Sequence, residues 1–228
     1  MTDLIPESQR MRAIVDNQAP LLKAAGFKKR RHCFNRLASD GLVHVVCFWM
    51  APKEPPAWTE VPGLRERLYG SFRLDFGVHV PEMTRTHTPR RPWINDYDCH
   101  LRRTIGQLIS GQDARDSWWK LDDPKASGNA DTALRQVGLP WLDSFPDALS
   151  ILDSFDEVGP LPLGLGPAGS LDIADLCRVR GDDERERRVL VEYVHRPVLQ
   201  SHIRYLTSYL DRHGHQDLIP EIKGRPPA

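Results

Sequence analysis

Residues 72–80 carry the clearest hydrophobic pattern of the chain, a strict alternation of apolar and polar positions. The apolar side consists of Phe72, Leu74, Phe76, Val78 and Val80. The other side consists of Arg73, Asp75, Gly77 and His79. A period of two is typical of a strand in an antiparallel sheet that covers one face and leaves the other to solvent. We therefore expect an extended segment whose apolar side packs on helices and whose polar side is solvated.

A β-hairpin is predicted upstream of this strand. Residues 34–37 and 42–50 are rich in apolar and β-branched side chains, and Ser39-Asp40-Gly41 separates them. An Asp-Gly pair between two such runs is a strong hairpin signal. Residues 52–62 and 81–92 are polar and contain prolines, so they are predicted to be surface loops.

Helical spacing precedes the strand signals. The apolar stripe near the N-terminus runs through Met11, Val15, Gln18 and Leu22. We expect Ser8 to cap this helix and Gly26 to end it. Pro20 lies inside the stripe and is predicted to kink the helix or to divide it in two.

Residues 98–109 fit two structures. Helical spacing connects Leu101, Ile105, Leu108 and Ile109, whereas Cys99, Leu101 and Ile105 also fit a strand. Ser110-Gly111 and the later pair Trp118-Trp119 suggest a strand, a turn and a second strand. We favour the strand, because a hairpin here extends the sheet that is already predicted.

Two more helices are predicted before residue 159. Residues 130–137 and 146–155 have a helical spacing of apolar side chains. Gly138 and Pro140 lie between these segments and are predicted to break the helical run.

The character of the sequence changes after residue 158. Residues 159–169 are rich in Gly, Pro and Leu and have no periodicity, so they are predicted to be a linker. Helical segments follow at residues 170–180, 182–195 and 197–213. Asp182 is the expected N-cap of the second of these helices.

These elements predict an α+β fold, in which an antiparallel sheet is packed on one face by helices. Residues 1–158 form this domain, and residues 159–169 are the Gly/Pro-rich linker. Residues 170–228 form a small C-terminal helical appendage.

Composition excludes few functions. Lys plus Arg and Asp plus Glu both number 31, so the chain of 228 residues has no net charge and no global attraction to nucleic acid or anionic membranes. No apolar run approaches the roughly 20 residues that span a bilayer.

Residues Met1–Arg12 lack the apolar segment of a secretory signal, so we expect a soluble cytoplasmic protein. For this compartment, Cys33, Cys47, Cys99 and Cys177 are expected to be free buried thiols.

Five segments of the sequence, taken in order, resemble a known family. They are LLKAAGFKKRRHCFNRL, GLVHVVCFWM, FRLDFGVHVPE, DCHLRRTIGQL and DSWWKL. Together they resemble the bacterial domain-of-unknown-function family numbered 4304, from about Arg10 to Phe155, with a departure at Trp49 where we expect a polar residue. The resemblance implies an α+β domain with an antiparallel sheet, and it brings no activity, cofactor or catalytic residue. Some small bacterial families of this kind are immunity proteins beside secreted toxins, an association at family level only.

Neither a cofactor nor a metal is expected. His32-Cys33 and Cys99-His100 are donor pairs, but adjacent residues of a strand point to opposite faces and rarely ligate one ion. The sequence contains no GxSxG, HExxH, Walker A or GxGxxG motif. A nucleophilic pair such as Cys99 with His79 has no support from spacing, since an isolated Cys is usually buried and inert.

The candidate binding residues lie on the polar side of the sheet. Arg73, Asp75 and His79 project from one strand, and Arg102 and His100 join them from the next one. We also include Trp119, because an exposed tryptophan favours a protein interface. This surface suits an acidic or polar partner, because arginine offers a planar fork of donors. The more common alternative is a solvated face with cross-strand ion pairs, each worth about 0.2–1 kcal/mol.

Nucleic acid is not an expected partner. Lys28-Lys29-Arg30-Arg31 and the group Arg85, Arg90, Arg91 and Trp93 combine cations with an aromatic ring, as single-strand binders do. However, the net charge is zero and no RNA- or DNA-binding motif is present. A solvated turn after the first helix is the preferred interpretation of the first cluster.

The sequence favours a non-enzymatic, cytoplasmic protein-binding module, of which immunity proteins are one kind. The alternative is an enzyme of unrecognised class with a polar site around His79, His100 and Arg73. An enzyme should have a deep pocket in which titratable groups converge. A binding module should have a shallow exposed patch with aromatic anchors. The sequence does not specify the oligomeric state.

Overall fold

An antiparallel sheet lies at the centre of the fold. The structure is a computed structural model, which describes residues 6–51, 68–83, 93–111, 117–166 and 168–223. Its strands are β1 (Lys28–Arg30), β2 (Cys33–Leu37), β3 (Val43–Met50), β4 (Ser71–His79), β5 (Leu101–Thr104) and β6 (Trp119–Lys120). They pair in the order β1-β2-β3-β4-β5, and β6 pairs with the first residues of β4. The predicted α+β class and the predicted hairpin of β2 and β3 are confirmed, while most of the two predicted loops lies outside the described residues.

Helices form the second layer. They are α1 (Glu7–Ala24), α2 (Ile105–Ser110), α3 (Ala126–Ala133), α4 (Leu139–Asp143), α5 (Ala148–Val158), α6 (Pro160–Leu163), α7 (Gly169–Arg180), α8 (Asp183–Val194) and α9 (Gln200–Arg212). The N-cap of α1 is Pro6 rather than Ser8, and the helix continues through Pro20, which is exposed. Gly26 follows with a φ of 86°, as expected for a terminating glycine. None of the described helices is long and apolar enough to cross a membrane.

The strand register assigns each side chain to one of two sheet faces. On the first face, Phe34, Val46 and Phe76 form one row across β2, β3 and β4, and all three are fully buried. Apolar side chains of α1, α3, α5 and α7 complete this core. The apolar side of residues 72–80 therefore packs as predicted.

The second face of the sheet is not solvated, which contradicts the prediction for its polar residues. Asp75 is 5% exposed and His79 is 7% exposed, while the side chain of Arg73 is 24% exposed. Alternation shows that one side of a strand is polar, but it does not show what covers that side.

A segment of irregular chain covers the second face. Residues 93–100, called the strap below, contain one short 3₁₀ helix (Asp96–Asp98) and cross the sheet between β4 and the β1–β2 hairpin. Ile94 and Cys99 of the strap pack against apolar side chains of β3 and form a small separate core. Cys99 also fills the space above Gly77, because a Cβ built on Gly77 would lie 2.5 Å from its Sγ. The space that the missing side chain of Gly77 leaves is thus occupied by Cys99 of the same chain.

Residues 98–109, which fit either a strand or a helix, contain part of each. Strand β5 ends at Thr104, and α2 begins at Ile105. The side chain of Thr104 accepts a hydrogen bond from the backbone of Gln107 at 3.3 Å, and the Gln107 side chain accepts one from the Thr104 backbone at 2.9 Å. This capping box starts the helix. The preference for a strand is correct for residues 101–104 and wrong for residues 98–100 and 105–109, and β6 pairs with β4 rather than with β5.

A continuous helical run replaces the predicted break at Gly138 and Pro140. It consists of α3, a π-helical segment at Leu134–Gly138, and α4. Pro140 lies in the first turn of α4, where a proline is tolerated. Gly138 permits close packing on the sheet, since a Cβ there would lie 2.2 Å from the Phe76 ring.

Residues 160–166, part of the predicted linker, contain α6 and lie against strand β5. Leu163 and Leu165 are only 3% and 4% exposed. The backbone N–H of Arg102 in β5 donates to the Gly164 carbonyl at 3.0 Å. Gly164 has a φ of 86° and no room for a Cβ, which would lie 2.4 Å from the Arg102 carbonyl oxygen. Gly164 therefore permits close packing, although the amino-acid composition of this segment is typical of a linker.

The three C-terminal helices form as predicted. The side chain of Asp182 caps α8 by accepting the backbone N–H of Arg185 at 3.1 Å. Apolar residues of α7, α8 and α9 belong to the same core cluster as the sheet. The division into a domain of residues 1–158 and an appendage of residues 170–228 stays a prediction.

Two of the four cysteines differ from expectation. Cys33 and Cys47 are cross-strand neighbours in β2 and β3, and they form a disulfide. Cys99 and Cys177 are free and buried, as expected. Burial raises the pKa of Cys177 to about 12 and raises the pKa of Cys99 well above its usual value. Both free thiols are therefore poor nucleophiles.

The contact between Gly138 and Phe76 predicts a destabilising substitution. Gly138→Ala should lower the free energy of unfolding by about 1–3 kcal/mol, because the fully buried Phe76 ring cannot move aside. Gly128→Ala in α3 is the control, since a Cβ there has no neighbour within 4 Å. That control should stabilise the protein by about 0.5–1 kcal/mol. Urea unfolding measures both values, and equal effects at the two positions would contradict the packing.

The disulfide predicts that reduction destabilises the fold. Breaking Cys33–Cys47 should lower the free energy of unfolding by roughly 2–4 kcal/mol, because the unfolded chain loses a constraint. Thermal unfolding with and without dithiothreitol measures the effect. The double variant Cys33→Ser/Cys47→Ser is the control and should not respond to the reductant. A wild-type transition that dithiothreitol leaves unchanged would show that this bond is absent in solution.

Candidate functional site

The strap leaves a cavity on each side of it. The first cavity, called the polar cleft, has a volume of about 910 Å³ and lies between β4, β5, the strap, residues 161–166 and residues 168–172. The second cavity, called the basic groove, has a volume of about 900 Å³ and lies between the β1–β2 hairpin, the end of β3 and the strap. Tyr97, an exposed residue in the middle of the strap, lines both cavities.

Charged side chains of both signs line the polar cleft. They are Arg73, Asp75, Asp96, Asp98, Arg102, Arg103 and Asp172. His100 is a further titratable group of the lining. Four separate parts of the chain supply these residues: β4, the strap, β5 and α7. Such convergence is characteristic of ligand-binding and catalytic sites.

Arg73 and Asp75 hold each other in place. One hydrogen bond joins the guanidinium to the carboxylate, from Nη2 to Oδ2 at 3.0 Å, and Nε forms an ion-pair contact with Oδ1 at 2.9 Å. The guanidinium also lies 5.1 Å from the centre of the Trp118 ring. A paired and stacked arginine is pre-organised, but much of its charge is already neutralised.

Asp96 is the most unusual carboxyl group of the polar cleft. Its side chain is only 4% exposed, and its nearest cation is the Arg102 guanidinium, with Nη2 at 3.5 Å. Burial raises the pKa of Asp96, while Arg102 and the Trp49 indole partly oppose this shift. A buried carboxyl with a raised pKa in a cleft is a group suited to proton transfer.

His79 and His100 have opposite tautomers in their neutral forms. The two rings stack with their centres 5.1 Å apart. Nδ1 of His79 donates to the Asp98 carbonyl at 3.0 Å, so its Nε2 is an acceptor. Nδ1 of His100 accepts the Val80 N–H at 3.0 Å, so its Nε2 carries the proton. His100 reaches the cleft, whereas His79 lies behind it.

The structure brings together four of the six predicted site residues. Arg73, Asp75, His100 and Arg102 line the polar cleft, and His79 supports His100 from behind. Trp119 does not belong to the site, because it packs on Phe72 at the first face with ring centres 5.4 Å apart. Its neighbour Trp118 contacts Arg73 instead.

Sequence reasoning missed the carboxylates of the strap and α7. Asp96 and Asp98 lie in a segment without periodicity, and Asp172 lies on a helix that was predicted to be an appendage. The available signal was the spacing Asn95-x-x-Asp98, which forms a capping box in which the Asn95 N–H donates to Asp98 at 2.9 Å. Within the part of the chain that the structure describes, no group of three or more His, Cys, Asp or Glu residues is placed to hold a metal ion.

The basic groove contains the cationic cluster of the sequence. Arg12, Lys29, Arg30 and Arg31 line it together with His32. Trp49, Trp93 and Tyr97 line the same cavity, and Trp49 and Tyr97 are exposed. Arg85, Arg90 and Arg91 lie outside the described residues.

Comparison with known proteins identifies one family. The model of the family described as "Domain of unknown function (DUF4304)" matches residues 66–144. The match runs from β4 through the strap, β5 and β6 to α4, and it is shorter than the resemblance from Arg10 to Phe155. No curated protein and no solved structure gives a significant match. The central part of this chain therefore matches the family that its sequence resembles, a domain of unknown function.

Proposed function

We propose that the protein binds a small polar molecule in the polar cleft and holds an anionic group of that molecule with Arg102. The convergence of Asp75, Asp96, His100 and Arg102 on one cavity of about 910 Å³ is the observation that carries this proposal. Cavities of roughly 300–1,000 Å³ are typical of small-molecule sites.

Burial supports a small ligand over a broad surface contact. Asp75, Asp96 and His100 are 5%, 3% and 9% exposed, so a flat partner surface reaches little of them. A small molecule that enters the cleft can contact their polar atoms directly. Buried titratable groups that share one cavity are a recurring mark of such sites.

Arg102 is the accessible cation of the cleft. Its side chain is 51% exposed, whereas the Arg73 side chain is 24% exposed and is bound by Asp75, and Arg103 is only 9% exposed. A guanidinium binds carboxylate or phosphate groups through two parallel hydrogen bonds. The surrounding carboxylates would accept hydrogen bonds from a donor or cationic group. The matching ligand class carries both kinds of group, as a free amino acid does.

Acid–base catalysis is the second candidate function of the same cleft. The observation in its favour is the raised pKa of Asp96 beside a histidine pair with fixed tautomers. In this proposal Asp96 exchanges a proton with a bound substrate, and the Nε2–H of His100 stabilises developing negative charge. The proposal corresponds to the enzymatic alternative drawn from the sequence, with Asp96 and Arg102 added and His79 in a positioning role.

Binding of another protein, of immunity or other type, is a separate proposal. The exposure of Tyr97 supports this proposal, because this aromatic residue in the middle of the strap is 58% exposed. A cytoplasmic location is also a proposal, and the Cys33–Cys47 disulfide favours an oxidising compartment instead. Alkylation of thiols in living cells, followed by mass spectrometry, measures whether this pair is oxidised there.

Arg102→Gln is the variant that tests the polar cleft. The probes are the free amino acids, succinate and inorganic phosphate, first by thermal shift and then by titration calorimetry. At least one probe should bind saturably to the wild type, and Arg102→Gln should weaken it about tenfold or more through the loss of a charge-assisted hydrogen bond.

Arg187→Gln is the matched control for this test. Arg187 is 52% exposed and pairs with the single carboxylate of Asp217, as Arg102 pairs with Asp96. The control should bind the probe like the wild type. The proposal is wrong if no probe binds while a protein partner is captured by the wild type and lost with Tyr97→Ala.

A further inference from the structure

The basic groove concentrates positive charge in a chain that has no net charge. Its described lining contains four cationic side chains, from Arg12, Lys29, Arg30 and Arg31, against the one carboxylate of Asp16. Lys29 and Arg12 both pair with Asp16, so the hairpin arginines are the cations that remain for a ligand. Positive potential in a concave site attracts anions more strongly than the same charge on a flat surface.

Aromatic rings line the same cavity. Trp49 and Tyr97 are 39% and 58% exposed, and Trp93 is partly buried. The guanidinium of Arg30 lies 5.9 Å from the centre of the Trp93 ring. Exposed aromatic rings beside arginines form the chemical surface that stacks on a nucleobase and pairs with a phosphate. The strap brings Trp93 and Tyr97 close to the β1–β2 hairpin, although these residues are far from the hairpin in sequence.

The turn between β1 and β2 holds an arginine in a backbone conformation that is unfavourable for most side chains. Arg30 pairs with Cys33, so Arg31 and His32 form a two-residue turn, and Arg31 has a φ of 55°. Glycine or asparagine is usual at such a position. Within the described part of the chain the Arg31 side chain makes no hydrogen bond or ion pair, and it is exposed at the groove. An arginine here does not serve the turn, which points to a role for its side chain.

We propose that the basic groove binds a mononucleotide, whose base stacks on Trp49 and Trp93 and whose phosphate is held by Arg30 and Arg31. The volume of about 900 Å³ accommodates one nucleotide. A single strand requires a charged track of several nucleotides, and the balanced charge of the chain does not favour one. This site lies across the strap from the polar cleft and does not rest on the function proposed for that cleft.

Calorimetry and tryptophan fluorescence test the ligand class with four nucleoside 5′-monophosphates, adenosine and inorganic phosphate. At least one monophosphate should bind saturably and change the fluorescence of the groove tryptophans. Adenosine and phosphate should each bind about tenfold more weakly or worse than adenosine monophosphate, because each lacks one of the two contacts.

Arg31→Gly separates ligand contact from folding. Glycine suits a positive φ, so the thermal midpoint should stay the same or rise, while nucleotide affinity should fall about tenfold or more. Arg135→Gln removes an arginine that is 57% exposed and pairs with Asp131, and it should bind like the wild type. Trp93→Leu should weaken monophosphates and adenosine alike.

Three results would overturn the proposal. The first is the absence of saturable binding for all four monophosphates, and the second is equal affinity in the wild type and Arg31→Gly. The third is binding of a ten-residue oligothymidylate more than a hundredfold tighter than any monophosphate and with steep salt dependence. That result would replace the mononucleotide with a single strand.

Discussion

The contact between the strap and the second face of the sheet determines where ligands can reach this protein. Cys99 lies directly above Gly77, and Ile94 packs on the apolar side chains of β3. Without the strap, the polar row of β4 would be the solvated face that alternation suggests. With the strap in place, Arg73 and Asp75 of that row line the polar cleft, and the other side of the strap lines the basic groove, which has a different charge. The fold thus creates its candidate sites by covering a polar surface incompletely.

Electrostatics distinguishes the two cavities. In the polar cleft Arg73 and Asp75 neutralise each other, and Asp96 is buried enough for its pKa to rise. In the basic groove the cations outnumber the carboxylates, and Arg31 makes no ion pair among the described residues. Burial of a charge is costly unless it is paired, so the polar cleft must be internally balanced while the open groove can stay unbalanced. The cleft is therefore suited to a ligand of mixed charge, and the groove to an anion.

The sequence predicts local structure well where a single periodicity applies. The alternation of residues 72–80, the Asp-Gly hairpin and the three C-terminal helices all follow from it. Prediction from the sequence fails where tertiary contacts determine the local structure. Gly138 and Gly164 are residues typical of chain breaks, yet each permits a close contact with the sheet. Half of the candidate site is predictable from the sequence, because Arg73 and Asp75 belong to the alternating pattern of a strand. Asp96 and Asp172 are not predictable, because they become neighbours only through folding. The disulfide differs from the prediction, which followed from the expected compartment, and its two cysteines become neighbours only through the strand register.

The accessibility of Cys99 tests the position of the strap most directly. The measurement is alkylation by iodoacetamide of the native, non-reduced Cys177→Ser variant, followed by mass spectrometry. If the strap lies on β4, Cys99 reacts only when the protein opens, because the thiol is buried above Gly77 and its pKa is raised. Alkylation of Cys99 in the native protein as fast as in urea would show that the strap does not cover the sheet, and neither cavity would then exist as described.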